Sequence, residues 1–284
     1  MENDWFARRQ RHSTFSIFHY PLSIDTATSN LSRETEYNNG VSRGDAMDLQ
    51  EIIDRSRRIV FFGGAGVSTA SGIPDFRSEN GLYATEFEGL TPEMILSQSY
   101  FYLNPESFFR FYRRFMLHPE AEPNAAHRRL YELEKADRLR GIVTQNIDGL
   151  HKRAGNRRVY ELHGSVHENY CMDCNAFYPM EKVLHSEGIP RCDHCGGVVK
   201  PWVVLYGEAP DKYTCMGACR ELSGADALIV AGTSLTVEPA ASMLDYFHGR
   251  YLVVINAEPT PADGRATLVV RGDVAEVMER LRIE

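Results

Sequence analysis

The chain has 284 residues, of which 43% are hydrophobic and 25% are charged, a composition typical of soluble globular proteins with a full core. Its formal charge of -8 and pI near 5.7 disfavour a general nucleic-acid binder, because such proteins present cationic charge to phosphate backbones. The sequence contains neither a long apolar run nor an N-terminal apolar segment, so we expect a cytoplasmic protein without a membrane span or secretory signal.

The first segment, residues 1–45, differs in composition from the rest of the chain. Within it, residues 21–45 are polar and rich in turn-forming residues, with few apolar side chains to bury. We therefore expect 1–45 to be a disordered N-terminal extension.

Beyond this extension, helical periodicity alternates with short apolar runs. Strands are predicted at 58–63, 141–144, 159–162, 227–231, 251–256 and 267–270, and helices at 48–57, 124–135, 239–248 and 274–281. This alternation predicts an α/β fold, a doubly wound Rossmann-like parallel sheet with helices on both faces. Two segments interrupt it, an aromatic-rich helical insertion (78–120) and a cysteine-containing stretch (165–201), and we expect them to form a smaller domain.

Glycines follow the first predicted strand. Gly64 and Gly66 would let backbone N–H groups approach an anion, as in phosphate-binding turns. The GxGxxG fingerprint is absent, because Thr69 stands at the third glycine position, and an ordinary tight turn is the alternative. Further on, Phe76 can stack on a ring and Arg77 can reach a phosphate or ribose, so this segment has the residues of a ligand-covering loop.

Small or polar residues also follow the other predicted strands. Gln145, Asn146 and Asp148 follow the strand at 141–144, although Asn146 could instead cap a helix. The remaining strand ends carry Gly232, Thr233, Ser234, Asn256, Gly272, Asp273 and Val274. Because ligands of open α/β sheets bind outside the carboxyl ends of the strands, these positions together predict a nucleotide-sized groove.

His163 follows the strand at 159–162. A histidine titrates near neutral pH and can act as a general base, a role worth about 10²–10⁴ in rate. The chain has ten histidines, and most histidines in proteins have no such role, so the residue alone leaves its function open.

Cysteine spacing is the strongest local signal. Cys171, Cys174, Cys192 and Cys195 form two CxxC pairs separated by 17 residues, the spacing of a zinc ribbon. Four thiolates complete a tetrahedron and leave no position for water, so this zinc would be structural. Cys215 and Cys219 are four residues apart on a predicted helix, where we expect a buried structural role.

Six motifs occur in order along the chain: GAGVSTASGIPDFR, TQNIDGLH, ELHG, the paired CxxC, KPWVVLYGE and GTSLTVEPA. With them the chain resembles, over 48–281, the sirtuins of bacterial type, which are NAD-dependent protein lysine deacetylases. The resemblance implies a catalytic domain over 46–284. Its parts would be a Rossmann-like core (46–77, 121–164 and 202–284), a helical insertion with the cofactor loop (78–120) and a zinc module (165–201) that holds one structural zinc ion. The implied reaction moves the acyl group from lysine to ADP-ribose and releases nicotinamide.

The resemblance also implies roles for individual residues. His163 would be the general base, and Asn146 would share the catalytic site with it. NAD would contact Ala65, Gly66, Ser68, Thr69, Phe76, Arg77, Gln145, Asn146, Ile147, Asp148, His163, Gly232, Thr233, Ser234, Asn256, Asp273 and Val274. An acylated-lysine protein or peptide would bind between 200–208 and 235–238, contacting Val204, Tyr206, Gly207 and Val237. No membrane and no specific nucleic acid is expected as a partner.

The sequence departs from the family pattern near the expected substrate site. Trp202 stands where a smaller polar residue is usual, and Leu205 with Tyr206 replaces an aromatic pair, which leaves peptide and acyl-chain preference open. Arg110 and Arg113 align with the Tyr-x-x-Arg motif of desuccinylating sirtuins. Loss of the tyrosine favours neutral acyl groups, while the two arginines could still accept a carboxylate.

Two rival functions remain. Mono-ADP-ribosyltransfer and NAD hydrolysis share the cleavage of NAD and differ in the acceptor. A zinc-ribbon nucleic-acid module is the non-enzymatic rival, and it predicts a basic ribbon. Residues 165–201 instead carry three bases, Lys182, Arg191 and Lys200, against five acids, Glu168, Asp173, Glu181, Glu187 and Asp193.

Overall fold

The computed structural model describes residues 47–79 and 81–283, so the extension predicted over 1–45 lies outside the described residues. The α-helices are α1 (Leu49–Arg55), α2 (Pro92–Ile95), α3 (Gln98–Leu103), α4 (Pro105–Phe115), α5 (Ala125–Lys135), α6 (Leu150–Arg153), α7 (Met180–Leu184), α8 (Lys212–Gly224) and α9 (Val274–Glu279). The strands are β1 (Ile59–Gly63), β2 (Leu139–Thr144), β3 (Val159–Glu161), β4 (Gly164–Cys171), β5 (Phe177–Tyr178), β6 (Val199–Val203), β7 (Ala227–Ala231), β8 (Tyr251–Ile255) and β9 (Leu268–Val270).

The larger sheet has the strand order β3-β2-β1-β7-β8-β9, and every neighbouring pair is parallel. This is the 3-2-1-4-5-6 order of dinucleotide-binding folds once the strands of the smaller sheet are set aside. Its central strands are apolar along their whole length and buried at every residue, as expected for strands covered on both faces.

Alternate residues of β1 enter two separate cores. Phe61 belongs to the core on the side of α1, α5 and α9. Phe62 belongs to the core on the side of α8 and the short 3₁₀ helix Ala241–Tyr246. The sheet therefore carries helices on both faces, and the predicted α/β fold is confirmed.

The insertion packs around aromatic residues. Phe108, Phe109, Phe111 and Tyr112 of α4 are fully buried in a core that also includes Val166 and Val203 of the smaller sheet. That sheet is antiparallel with the order β5-β4-β6. The boundaries of the insertion at 78–120 and of the zinc module at 165–201 stay a prediction.

Some predicted elements differ from the observed ones. The helix predicted over 239–248 is the shorter 3₁₀ helix Ala241–Tyr246. Strands β4, β5 and β6 were not predicted. Among residues 47–79 and 81–283, no helix has the length and apolar content that crossing a bilayer requires.

Candidate functional site

A cavity of about 1130 Å³ opens along the carboxyl ends of β1, β2, β7, β8 and β9. An ordinary ligand pocket has roughly 300–1,000 Å³, so this one has room for a large ligand or for two ligands. All residues predicted to contact NAD or the peptide line it: Ala65, Gly66, Ser68, Thr69, Phe76, Arg77, Gln145, Asn146, Ile147, Asp148, His163, Val204, Tyr206, Gly207, Gly232, Thr233, Ser234, Val237, Asn256, Asp273 and Val274. Their individual roles stay a prediction.

The turn after β1 packs directly against the turn after β7. The Gly66 N–H donates to the Gly232 carbonyl at 2.9 Å, and Gly232 has a φ of 59°. A Cβ on Gly66 would lie 2.8 Å from the Gly232 Cα, and one on Gly232 would lie 2.5 Å from the Val67 nitrogen. Because side chains would push the two turns apart, glycine is required at both positions. The two turns form a cradle in which a ligand can approach the backbone.

Three polar side chains from two segments, the turn after β1 and the loop after β2, meet beside this cradle. The Ser68 hydroxyl donates to Asp148 Oδ2 at 2.7 Å, and Asn146 Nδ2 donates to Ser68 Oγ at 3.1 Å. Asp148 Oδ1 accepts from the Leu150 N–H, the first of α6, at 2.9 Å. Because Gly149 is the N-cap of α6 and the Asn146 side chain bonds to Ser68, the capping role considered for Asn146 is wrong.

His163 lies between β3 and β4. Its Nδ1–H donates to the Gln145 backbone carbonyl at 3.0 Å, since a carbonyl can only accept, and this leaves Nε2 without a proton in the neutral ring. Burial lowers the pKa of His163 below its ordinary value, and the hydrogen bond to Gln145 offsets part of that effect. At neutral pH the ring is therefore uncharged and able to accept a proton at Nε2.

The four cysteines of the CxxC pairs converge. The Sγ atoms of Cys171, Cys174, Cys192 and Cys195 all lie within 4.8 Å of one another. Between the two motifs, the Sγ atoms of Cys171 and Cys195 are 3.4 Å apart, and those of Cys174 and Cys192 are 3.5 Å apart. Sulfurs bound to zinc at ~2.3 Å would be about 3.8 Å apart, so the donors and their spacing fit a tetrahedral zinc site. The Tyr178 hydroxyl donates to Cys192 Sγ at 3.2 Å, which favours the thiolate.

Comparison with known proteins accounts for this arrangement. The model of the Sir2 family matches residues 64–239. An NAD-dependent protein deacetylase of Clostridium acetobutylicum is 52% identical over 234 residues, which cover 82% of this chain and 96% of that protein. This chain belongs to the Sir2 family. A protein of the same name from Clostridium perfringens is 51% identical over 235 residues, covering 82% of this chain and 96% of the relative.

Solved Sir2 structures share the fold. A Sir2 enzyme with a deacetylated p53 peptide and 3′-O-acetyl-ADP-ribose matches with a TM-score of 0.75 at 39% identity, covering 82% of this chain and 97% of that one. A second, with a p53 peptide and NAD⁺, matches with a TM-score of 0.72 at 38% identity and the same coverage of 82% and 97%. The family predicted from the six motifs is confirmed.

In this Sir2-family protein a short segment after the cradle, here called the flap (residues 75–79 and 81–85), lines part of the cavity. Its turn is held by Asp75, whose Oδ1 accepts from the Arg77 N–H at 3.1 Å. The Arg77 side chain extends from the flap and donates from Nη1 to Ser234 Oγ at 3.3 Å. The flap therefore contacts the loop that follows β7.

Tyr83 of the flap also lines the cavity. The sequence around it shows neither helical nor strand periodicity. Its ring packs edge-on against Phe76 with centroids 5.5 Å apart, and the Arg77 guanidinium lies 5.5 Å from the ring centroid. The Tyr83 hydroxyl forms a hydrogen bond with the Tyr206 hydroxyl in the predicted peptide segment. Tyr83 thus connects the expected cofactor and peptide sides of this Sir2-family site.

Arg110 and Arg113 of α4 do not line the cavity. Arg110 is paired with Glu88, with Nη2 and Oε1 2.7 Å apart. Arg113 donates to the Val183 and Gly188 carbonyls at 3.3 and 2.6 Å. Both guanidinium groups are engaged elsewhere, so the suggestion that they accept an acyl carboxylate is not supported.

Other wall residues of this Sir2-family site were not predicted. They include Leu82, Leu96, Tyr112, Phe115, Met116 and His118, together with Val203 and Leu205, which lie in the segment 200–208 predicted for the peptide but were not named as contacts. The only available signal was the recurrence of 112, 115 and 116 on one face of a helical segment. Trp202 is absent from the wall, and its ring lies 5.7 Å from that of Tyr170 on the smaller sheet.

Proposed function

We propose that this protein is an NAD-dependent protein lysine deacylase, which removes acetyl or similar neutral acyl groups and produces nicotinamide and O-acyl-ADP-ribose. The observation that carries the proposal is the convergence of residues from five of the six motifs, all but the paired CxxC, on one cavity. Relatives 51% and 52% identical to the chain are NAD-dependent protein deacetylases, and the Sir2 structures described above contain NAD⁺, peptide and acetyl-ADP-ribose.

NAD supplies the sugar that receives the acyl group, with nicotinamide as the leaving group. The chain's own residues would bind and orient it. The cradle at Gly66 and Gly232 would let the pyrophosphate approach the backbone closely, beside Ala65, Ser68 and Thr69 of the cavity wall. The linked side chains of Ser68, Asn146 and Asp148 would fix the nicotinamide end, and His163 would accept a proton from a sugar hydroxyl at Nε2.

The acyl-lysine peptide would lie along the segment 200–208. The Tyr206 N–H donates to the Leu96 carbonyl at 3.0 Å, and the Tyr206 carbonyl accepts from the Gln98 N–H at 2.9 Å. These bonds hold one edge of the segment, while Val204, Tyr206 and Gly207 line the cavity. A peptide that adds along the opposite edge of the segment gains main-chain hydrogen bonds with little demand on its sequence.

The preference for neutral acyl groups rests on the charges of the wall. Among the described wall residues, Arg77 is the one with a guanidinium or ammonium group, and it donates to Ser234. Much of the rest of the wall near α4 is apolar. A buried carboxylate without a cationic partner is costly, so we expect weak activity on succinylated or malonylated lysine.

We further propose that the four cysteines of the CxxC pairs hold a structural zinc ion. We also propose a cytoplasmic location, because six cysteines without disulfides suit a reducing compartment. The proposal excludes specific nucleic-acid binding. Of the three bases in 165–201, Lys182 is paired with Asp193 and Lys200 with Glu208, with N–O distances of 2.5 and 3.2 Å.

The test is incubation of the purified, zinc-loaded protein with NAD and an acetyl-lysine peptide, with products identified by mass. We expect unmodified lysine, nicotinamide and O-acetyl-ADP-ribose, and a much slower reaction with the matched succinyl peptide. Free ADP-ribose with intact acetyl-lysine would indicate NAD hydrolysis instead. An added ADP-ribosyl mass on protein would indicate ADP-ribosyltransfer.

A further inference from the structure

We propose that Asn124 is a positioning residue for the cofactor turn, defined here as residues 65–71. It would act by fixing the backbone on both sides of Ser68. The inference rests on the proposed function, because it concerns the affinity of this turn for NAD.

Asn124 first serves as the N-cap of α5. Its Oδ1 accepts from the Ala126 N–H at 2.9 Å, and its backbone N–H donates to His127 Nδ1 at 3.3 Å. An N-cap side chain needs only an acceptor atom, because its task is to satisfy N–H groups at the helix start. The capping role therefore leaves both N–H groups of the side-chain amide unexplained.

Those N–H groups reach a distant part of the chain. Asn124 Nδ2 donates to the Val67 carbonyl at 2.8 Å and to Ser71 Oγ at 3.0 Å, across 57 and 53 residues of sequence. Val67 and Ser71 are the last residues of the two 3₁₀ helices, Ala65–Val67 and Thr69–Ser71, that make up the turn. Asn124 is 8% exposed, so these bonds are shielded from water.

The position of the turn matters because Ser68 lies between its two 3₁₀ helices. Ser68 is 1% exposed and bonds to both Asp148 and Asn146. Short 3₁₀ helices have poorer hydrogen-bond geometry than α-helices, so the turn is held weakly by its own bonds. Helix α5 buries Leu130 in the core, and Asn124 ties the turn to that rigid element.

The alternative is that Asn124 only caps α5 and has no effect on the cofactor turn. Replacement of Asn124 by serine separates the two roles, because serine caps about as well as asparagine but lacks an amide that reaches Val67 and Ser71. Ser71→Ala removes one of the two contacts without touching the helix. Asn104→Ser is the matched control, since Asn104 is the N-cap of α4 and makes no side-chain capping bond.

The experiment measures NAD affinity by calorimetry, the KM values for NAD and an acetyl-lysine peptide, and the melting temperature. For Asn124→Ser we expect the Kd for NAD to rise about tenfold, because two ordinary hydrogen bonds are lost. The KM for the peptide should change less than twofold. Ser71→Ala should weaken NAD binding less and add little in the Asn124→Ser background. Asn104→Ser should bind NAD as the unmodified protein does.

Unchanged NAD affinity in Asn124→Ser, with a lowered melting temperature, would overturn the proposal and leave a capping role. Should Asn124→Ser fail to fold, Ser71→Ala decides, and wild-type NAD affinity in that variant would overturn the proposal as well. Absence of NAD binding by the unmodified protein would contradict the proposed function itself, so the two failures are distinguishable.

Discussion

At the scale of single residues, a backbone atom decides the tautomer of His163. The acceptor of its Nδ1–H is the Gln145 carbonyl, so substitution of the Gln145 side chain leaves this bond in place. The Gln145 side chain has a different partner, because its Nε2 donates to Thr233 Oγ1 at 2.9 Å beyond β7. Orientation of the proposed base is therefore built into the main chain at the end of β2.

The pH dependence of activity follows from the environment of His163. Burial lowers the pKa of His163 below its ordinary value of 6.5, so the ring stays neutral and basic to a lower pH than an exposed histidine. We expect kcat/KM for the acetyl peptide to be constant near pH 7 and to fall with a midpoint below pH 6.5. His163→Ala should abolish deacylation while leaving zinc content and folding intact. Substantial residual deacylation in this variant would exclude the base role.

Close packing of the two turns predicts that Gly232→Ala damages the cradle. The new Cβ would lie 2.5 Å from the Val67 nitrogen at a φ of 59°, and we expect a stability loss of roughly 1–3 kcal/mol and weaker NAD binding. Gly188→Ala is the matched control, because Gly188 has a φ of 60° and no atom within 4 Å of its added Cβ. Thermal melts of both variants isolate the steric effect. Equal losses would show that the turns can move apart at no cost.

At the scale of elements, the smaller sheet depends on its cysteines. The buried cluster at its cysteine end consists of Cys171, Tyr178, Cys192 and Val199. Two of these four residues are proposed metal ligands, so few apolar side chains remain to hold the strands together. Metal binding would therefore supply folding free energy here, about 10–16 kcal/mol in small zinc peptides.

Cys171→Ser should release the zinc and destabilise the smaller sheet, since three ligands no longer complete the tetrahedron. We expect zinc content near zero, a lower melting temperature and lower solubility. Cys215→Ser is the control, because Cys215 lies on α8 outside the cluster of four and should leave zinc content unchanged. Zinc still bound to Cys171→Ser, with an unchanged melting temperature, would contradict the assignment.

How far the sequence predicts each element depends on where its stability comes from. Both ends of strand β7 are predicted correctly, at 227 and 231, because a strand buried on both faces is a continuous apolar run that the sequence shows directly. Strand β4 shows no regular alternation and has a shift in its pairing with β6 between Ser165 and Asn169. Its form depends on partners distant in sequence, which periodicity does not detect.

The residues of the candidate site likewise fall into those that the sequence predicts and those that only the three-dimensional packing brings there. Residues after strand ends were predicted to lie together, and they line one cavity because parallel strands end at one edge. Tyr83 enters the wall through packing of the flap, for which the sequence has no local rule. Tyr112 enters it through packing of α4, for which helical recurrence was the only signal. Asn124 was predicted as the start of a helix, and its contacts with Val67 and Ser71 are visible only in three dimensions.

At the scale of the whole molecule, two buried histidines lie side by side between helices α5 and α6. His127 of α5 and His151 of α6 have ring centroids 4.6 Å apart, and they are 0% and 2% exposed. In the described part of the chain, His127 Nε2 and both ring nitrogens of His151 have no hydrogen-bond partner. Asp148 favours the charged form of His127, and Arg128 opposes it. Burial is the largest effect on both rings and keeps them neutral.

This pair predicts that the folded protein loses stability in mild acid. Burial lowers the pKa of His127 to about 4 and that of His151 well below its ordinary value of 6.5. Between pH 6.5 and 4 the unfolded chain binds more protons than the folded one, so the free energy of unfolding rises with pH. The contribution of the two histidines to the free energy of unfolding is complete above pH 6.5 and is lost as the pH falls towards 4.

For His127 alone, the expected loss between pH 7.5 and 5 is roughly 2 kcal/mol, measurable as a lower urea midpoint. His151→Leu removes one of the two titrating rings but keeps an apolar side chain beside Phe61, so its urea midpoint should depend less on pH than that of the unmodified protein. Any loss of zinc in acid affects both proteins alike, so the difference in slope belongs to the histidine. Identical slopes would mean that His151 is protonated inside the folded protein, which requires water or a counter-charge to reach the ring and would contradict its burial.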